Sequence, residues 1–151
     1  MPSGDGAYRV FITHAGRPHV DRTALLHLLE SAPGFRYSDC TPARALSGGA
    51  ATDEALTHDA LERQIARADV AVVLAAMLLQ HSSRELVRFQ VETARRLGKP
   101  ILVLTPYGTV DIPRYLEDRA DAIIVATKGD PRVWETAEVV SAIVRLGDGE
   151  R

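Results

Sequence analysis

Four groups of side chains in this sequence could do chemistry: Gln90, the pair Thr13-His14, the trio Tyr37-Ser38-Asp39, and the lone thiol of Cys40. Gln90 is the most telling. It falls in Ser82 to Pro100, SSRELVRFQVETARRLGKP, where Leu86, Val87, Val91, Ala94 and Leu97 repeat at the spacing of one helical face. Gln90 lies on that same stripe, and a polar side chain turned inward needs a partner or a purpose. An amide has nearly a carboxylate's shape and keeps an acceptor oxygen, but it carries no charge. Glu92 stands two residues on, which is about 200° round a helix, and Glu85 is also off the stripe. His14 ends an apolar run and could bind or move a proton, or simply cap a loop. No Cys-His-Asn arrangement can be traced for Cys40, so a small buried thiol is the expected state.

The elements that must hold these groups alternate along the chain. Apolar runs predict strands at Tyr8 to Thr13, Phe35 to Ser38, Asp69 to Ala76, Pro100 to Thr105 and Ala120 to Ala126. DVAVVLAA and PILVLT are nearly continuous, as strands buried on both faces read. Helical stripes predict a helix over Asp21 to Ser31, ended by Pro33-Gly34, and another from about Asp53 or Thr57 to Arg67. The central helix starts at Ser82 or Ser83 and stops at Gly98. A closing helix is predicted over Pro131 to Leu146, with Val133, Ala137, Val140 and Val144 sharing a face. Asp39 to Asp53, with Pro42 and Gly48-Gly49, reads as a long loop, and long loops inside compact domains are often functional. Pro106 to Arg119 reads as a loop with a helical turn.

Alternating strands and helices predict an α/β fold: one flavodoxin-like domain over 8–146, a five-stranded parallel sheet with helices on both faces. Residues 1–7, Gly-rich and polar, are expected to form a loose terminus, and 147–151 a polar tail. Ligands then bind beyond the C-terminal strand ends, at Thr13-His14, Ser38-Asp39, Ala76 to Ser83, Thr105-Pro106-Tyr107 and Thr127. A net charge of −2 without a basic stripe argues against nucleic acid. No apolar run spans a bilayer, no signal-peptide core is present, and one cysteine suits a reducing cytoplasm. No metal-ligand spacing is found, so no metal is expected. A phosphoacceptor receiver would need acids after the first strand and an Asp ending the third; Asp69 instead opens its strand. A dinucleotide-binding fold would need G-x-G-x-x-G where THAGRPHVD stands.

Several pieces carry a family resemblance: VFITHA at 10–15, LERQIARADVAVVLA at 61–75, ELVRFQVETARRLGKPILVL at 85–104, and ADAIIVA with Trp134 beyond it. In their order and spacing the chain resembles the Toll/interleukin-1 receptor (TIR)-like domains of bacterial anti-phage Thoeris systems, the ThsB family, over roughly Tyr8 to Leu146. The third piece is similar to the family pattern S-x-W-[IV]-x-x-E-[IL]-x-x-A-x-x-x-G-K-P. The resemblance implies a cytoplasmic antiviral-defence enzyme that uses NAD as a substrate, with no other cofactor. It would cleave the nicotinamide–ribose bond and make a cyclic or modified ADP-ribose signal for a separate effector protein, in response to a phage trigger. It also implies self-assembly.

Carried onto this chain, the resemblance places Gln90 where the family has its catalytic Glu. That carboxylate would stabilise the oxocarbenium character that develops as the bond breaks. His14 matches the family's F-I-S-H strand end. Thr13 and Ser38 would help form the pocket, and Ser83 and Leu86 would line its wall. The chain departs from the pattern at Arg84 for Ser, Leu86 for Trp and Gln90 for Glu, and the last would lower the chemistry by roughly 10²–10⁴-fold or more. Either an amide has replaced a natural acid, which Val91, Ala94 and the Gly98-Lys99-Pro100 ending favour slightly, or the domain binds a nucleotide or partner without turnover. Two rivals stay open: a non-enzymatic assembly module, and a nucleoside deoxyribosyltransferase-like enzyme with the same layout.

Overall fold

The computed structural model describes residues 4, 6–106, 112–129 and 132–149. Strands β1 (Tyr8–Ile12), β2 (Tyr37–Asp39), β3 (Val70–Leu74), β4 (Ile101–Thr105) and β5 (Ala122–Val125) form one parallel sheet in the order β2-β1-β3-β4-β5. That is the flavodoxin-like order, with its switch point between β1 and β3. Helix α1 (Val20–Ser31) packs with α7 (Thr136–Gly147), and α3 (His58–Ala66) packs with α5 (Arg84–Arg96), so helices flank the sheet. All five residues of β3 and of β4 are buried, which is why both read as continuous apolar runs. At the β5 edge only Ile124 is buried, while Ile123 and Val125 stay 36% and 46% exposed.

The expected long loop is partly helical. A 3-10 turn spans Ala43–Leu46 and helix α2 spans Ala50–Ala55. The sequence AATDEA is too short, and its apolar residues too small, to give a periodic signal of that helix. The second predicted helix is α3, whose N-cap Thr57 accepts from the Ala60 N–H. The run read as a strand to Ala76 turns helical at Ala75, as α4 (Ala75–Leu79). Apolar residues continue through that turn, so hydrophobicity alone does not mark it. The Pro106 to Arg119 stretch holds one helical turn, α6 (Arg114–Glu117). The expected strand end at Tyr107 lies outside the described residues, as do 1–3, 5 and 150–151 of the termini.

The closing helix starts later than its apolar pattern suggested. Lys128–Gly129 and Arg132–Val133 form a two-stranded antiparallel pair, β6 and β7, and α7 begins at Thr136. Pro131, the expected first turn, lies outside the described residues. Buried Trp134 donates its indole N–H to Thr105 O at 3.0 Å and pins the chain before the helix starts. The buried stripe is therefore Val139, Ala142, Ile143 and Leu146, not the one through Ala137 and Val140. Gly98, at φ +71°, ends α5 as expected: its N–H bonds Arg95 O and the Lys99 N–H bonds Ala94 O.

Candidate functional site

The chain leaves β1 through Thr13 and His14, beside the switch point, and α5 runs close enough for Gln90 to reach it. The two are joined by a closed pair of hydrogen bonds. The His14 backbone N–H donates to Gln90 Oε1 at 3.0 Å, and Gln90 Nε2 donates to His14 O at 2.7 Å. The side-chain amide thus pairs with a main-chain peptide as a neighbouring strand would, and satisfies groups that no strand reaches. Both residues are buried, at 1% and 0% exposure. The His14 ring turns into the interior, where Nε2 donates to Gln64 Oε1 at 3.0 Å. Gln64 in turn donates Nε2 to Ala55 O at 3.0 Å, tying α3 to the end of α2. Burial holds the His14 pKa below the usual histidine range; the Gln64 bond acts the other way, and Arg22 pushes it down further.

Thr13 and Ser83 meet at α4. Thr13 Oγ1 accepts from the Leu74 N–H and contacts Met77 Sδ at 3.7 Å. Ser83 Oγ donates to Met77 O at 2.6 Å. Ser83 therefore holds the start of α5 through α4, with no side-chain cap bond of its own. On the other flank, Arg22 in the first turn of α1 forms a 2.5 Å ion pair with Asp39, which also accepts from the Thr41 N–H. His14 Nδ1, Arg22 Nε and Thr41 Oγ1 are buried polar atoms without a hydrogen-bond partner. Such atoms are uncommon and costly, and here they sit on the segments leaving β1 and β2 and opening α1.

Of the residues singled out by sequence, the structure brings Thr13, His14, Ser83 and Gln90 to one end of the sheet. It does not bring Ser38 or Leu86 there. Ser38 is exposed and pairs in register with Arg9, near the start of β1. Leu86 is half-buried and lines an outer groove with His58, Glu85, Arg88, Phe89 and Glu92. Glu92 points outward, bonded to the Tyr115 hydroxyl at 2.6 Å and to Arg119 Nε at 2.5 Å. Sequence reading missed Gln64 and the Arg22–Asp39 pair. The signal for Gln64 was available, because it interrupts an apolar stripe between Leu61 and Ile65 just as Gln90 does.

Cys40 is buried and its thiol is pushed up to about 11 by that burial, so it is a poor nucleophile. Among the described residues no group of three His, Cys, Asp or Glu side chains could hold a metal ion. Among the same residues no helix is long and apolar enough to cross a membrane.

No family model and no curated protein matches the chain. Among solved structures, it is similar to the CMP N-glycosidase BcmB of Clostridium botulinum, with 15% identity and a TM-score of 0.49, over 90% of this chain and 98% of that one. A likeness at that level says nothing about chemistry.

Proposed function

We propose that this chain is a TIR-like domain that binds a nucleotide of the NAD or ADP-ribose class and leaves its glycosidic bond intact. The observation that carries this reading is the pairing of the Gln90 amide with the His14 peptide. A catalytic carboxylate has to face the reacting ribose. This side chain instead has both polar atoms on backbone, and a carboxylate lacks the donor that His14 O requires. The packing thus favours a native glutamine over an acid that has been replaced. Nucleotide binding is supported by His14 Nδ1, Arg22 Nε and Thr41 Oγ1, an acceptor, a cationic donor and a hydroxyl of the kind that ribose and phosphate oxygens satisfy. These atoms are closed off, so binding requires the chain around them to open.

A second reading keeps the anti-phage signal generator: an NAD glycohydrolase or ADP-ribosyl cyclase whose acid at position 90 is missing here. The favouring observation is the match after that position, Val91, Ala94 and Gly98-Lys99-Pro100. Calorimetry with NAD and with ADP-ribose, run beside nicotinamide release by this chain and by Gln90→Glu, separates the two. The first reading expects saturable binding, weakened by His14→Ala, and no nicotinamide from either protein. Release by the folded Gln90→Glu variant alone would transfer support to the signal generator. Release by the unchanged chain would overturn both, and failure to bind either nucleotide would leave the assembly module.

A further inference from the structure

The β5 edge and the flank of α7 beside it form one concave surface, an open groove of about 610 Å³ floored by Ala122, Ile123 and Ile124 and walled by Ser141, Glu138 and Arg145. Among the described residues, no strand pairs with the outer side of β5. Exposed sheet edges of this kind are usually short, charged or covered. The opposite edge obeys that rule: β2 has three residues, and Asp39 is tied to Arg22. The β5 edge breaks it, with Ile123 and Val125 both outward and exposed.

We infer that this surface docks a second copy of the chain, with the two β5 strands antiparallel about a twofold axis through Ile124. Residues directly opposite in an antiparallel pair lie on the same face of the sheet. A twofold axis at Ile124 therefore sets Ile123 against the second copy's Val125, and Val125 against its Ile123. The two exposed apolar side chains cover each other, and Ile124 meets its own copy on the α7 side. The same axis keeps each α7 on one face of the joined sheet and runs the pair antiparallel. Glu138 near the start of α7 then faces Arg145 near the end of the second copy's helix, and Arg145 faces its Glu138. Neither side chain has an ion-pair partner within the chain among the described residues. One symmetry operator thus satisfies the apolar edge and the charges, which is what an isologous interface requires.

The test is the oligomeric state of the full chain by sedimentation. The unchanged chain is expected to be a dimer at micromolar concentration. Ile123→Lys, and separately Glu138→Arg and Arg145→Glu, should each weaken it about 10- to 100-fold by setting like charges or a buried charge across the seam. Both charge positions are exposed, so each variant should keep its thermal unfolding transition. The decisive arm mixes the two charge variants, because a heterodimer of Glu138→Arg with Arg145→Glu restores both opposite-charge contacts. Recovery of dimer in that mixture supports the twofold axis. A monomeric unchanged chain, dimers indifferent to the single substitutions, or a mixture that stays monomeric would each overturn it.

Discussion

Helix α5 carries two polar constellations on opposite sides, and their chemistry could hardly differ more. Inward, Gln90 joins His14 and Gln64 in a neutral network of amides, imidazole and peptide, all of it buried. Outward, Glu92 grips Tyr115 and Arg119, and the guanidiniums of Arg88 and Arg119 lie over the Tyr115 ring, 4.5 and 3.9 Å from its centre. Two residues of helix separate the two. The interior takes the uncharged member of each isosteric pair because an unpaired charge there is costly, whereas the surface tolerates ions that water already solvates. The difference teaches that position 90 is chosen for hydrogen-bond direction, donor on one side and acceptor on the other, and position 92 for charge.

Breaking the inward set should cost most. Gln90→Leu fills the space but strands the His14 N–H and C=O, and about 2–5 kcal/mol of unfolding free energy should be lost in denaturant titrations. Gln90→Glu is subtler. A carboxylate repels His14 O while a protonated carboxyl can donate to it, so the loss relative to the parent should shrink as pH is lowered. A loss that stays flat with pH would mean the clamp has rearranged.

His14 gives the next effect, with the opposite sign in the parent protein. Its folded pKa lies below the ordinary value, so the unfolded chain takes up its proton first as pH falls. Stability from this group is present above about pH 6.5 and declines as pH drops from there toward the folded pKa. Thermal unfolding across that window should show the decline, and His14→Asn should flatten it. Glu92→Gln should matter least. Its side chain is 51% exposed and its partner Arg119 26%, so the change should cost under about 1 kcal/mol and fade in high salt. A larger effect at Glu92 than at Gln90 would reverse the comparison.

Much of this was legible in the chain, for definite reasons. Strands β3 and β4 announce themselves because both faces are covered, and Gln90 does so because helical period fixes its side. What it would touch was not legible. The His14 peptide lies 76 residues away, and only the turn of backbone after β1 presents both its N–H and its C=O to α5. The distance of Ser38 from the Thr13-His14 turn was not legible either, because strand-end geometry depends on register and Ser38 pairs with Arg9. The α2 segment was missed because it is held from outside its own sequence. Gly16, at φ +76°, passes so close that a Cβ there would come within 2.7 Å of Thr52 and 2.8 Å of Leu56.

Cys40 turns the fold into its own reporter. It is the chain's one cysteine, buried just before the 42–56 segment begins, with its thiol pushed up to about 11. An alkylating reagent at neutral pH therefore meets almost no thiolate until that region opens and the thiol regains its ordinary acidity. The labelling rate then measures how often the region around Cys40 opens, in an unmodified protein with no probe installed. A nucleotide that holds that region closed would slow the clock, and one that binds by opening it would speed it up.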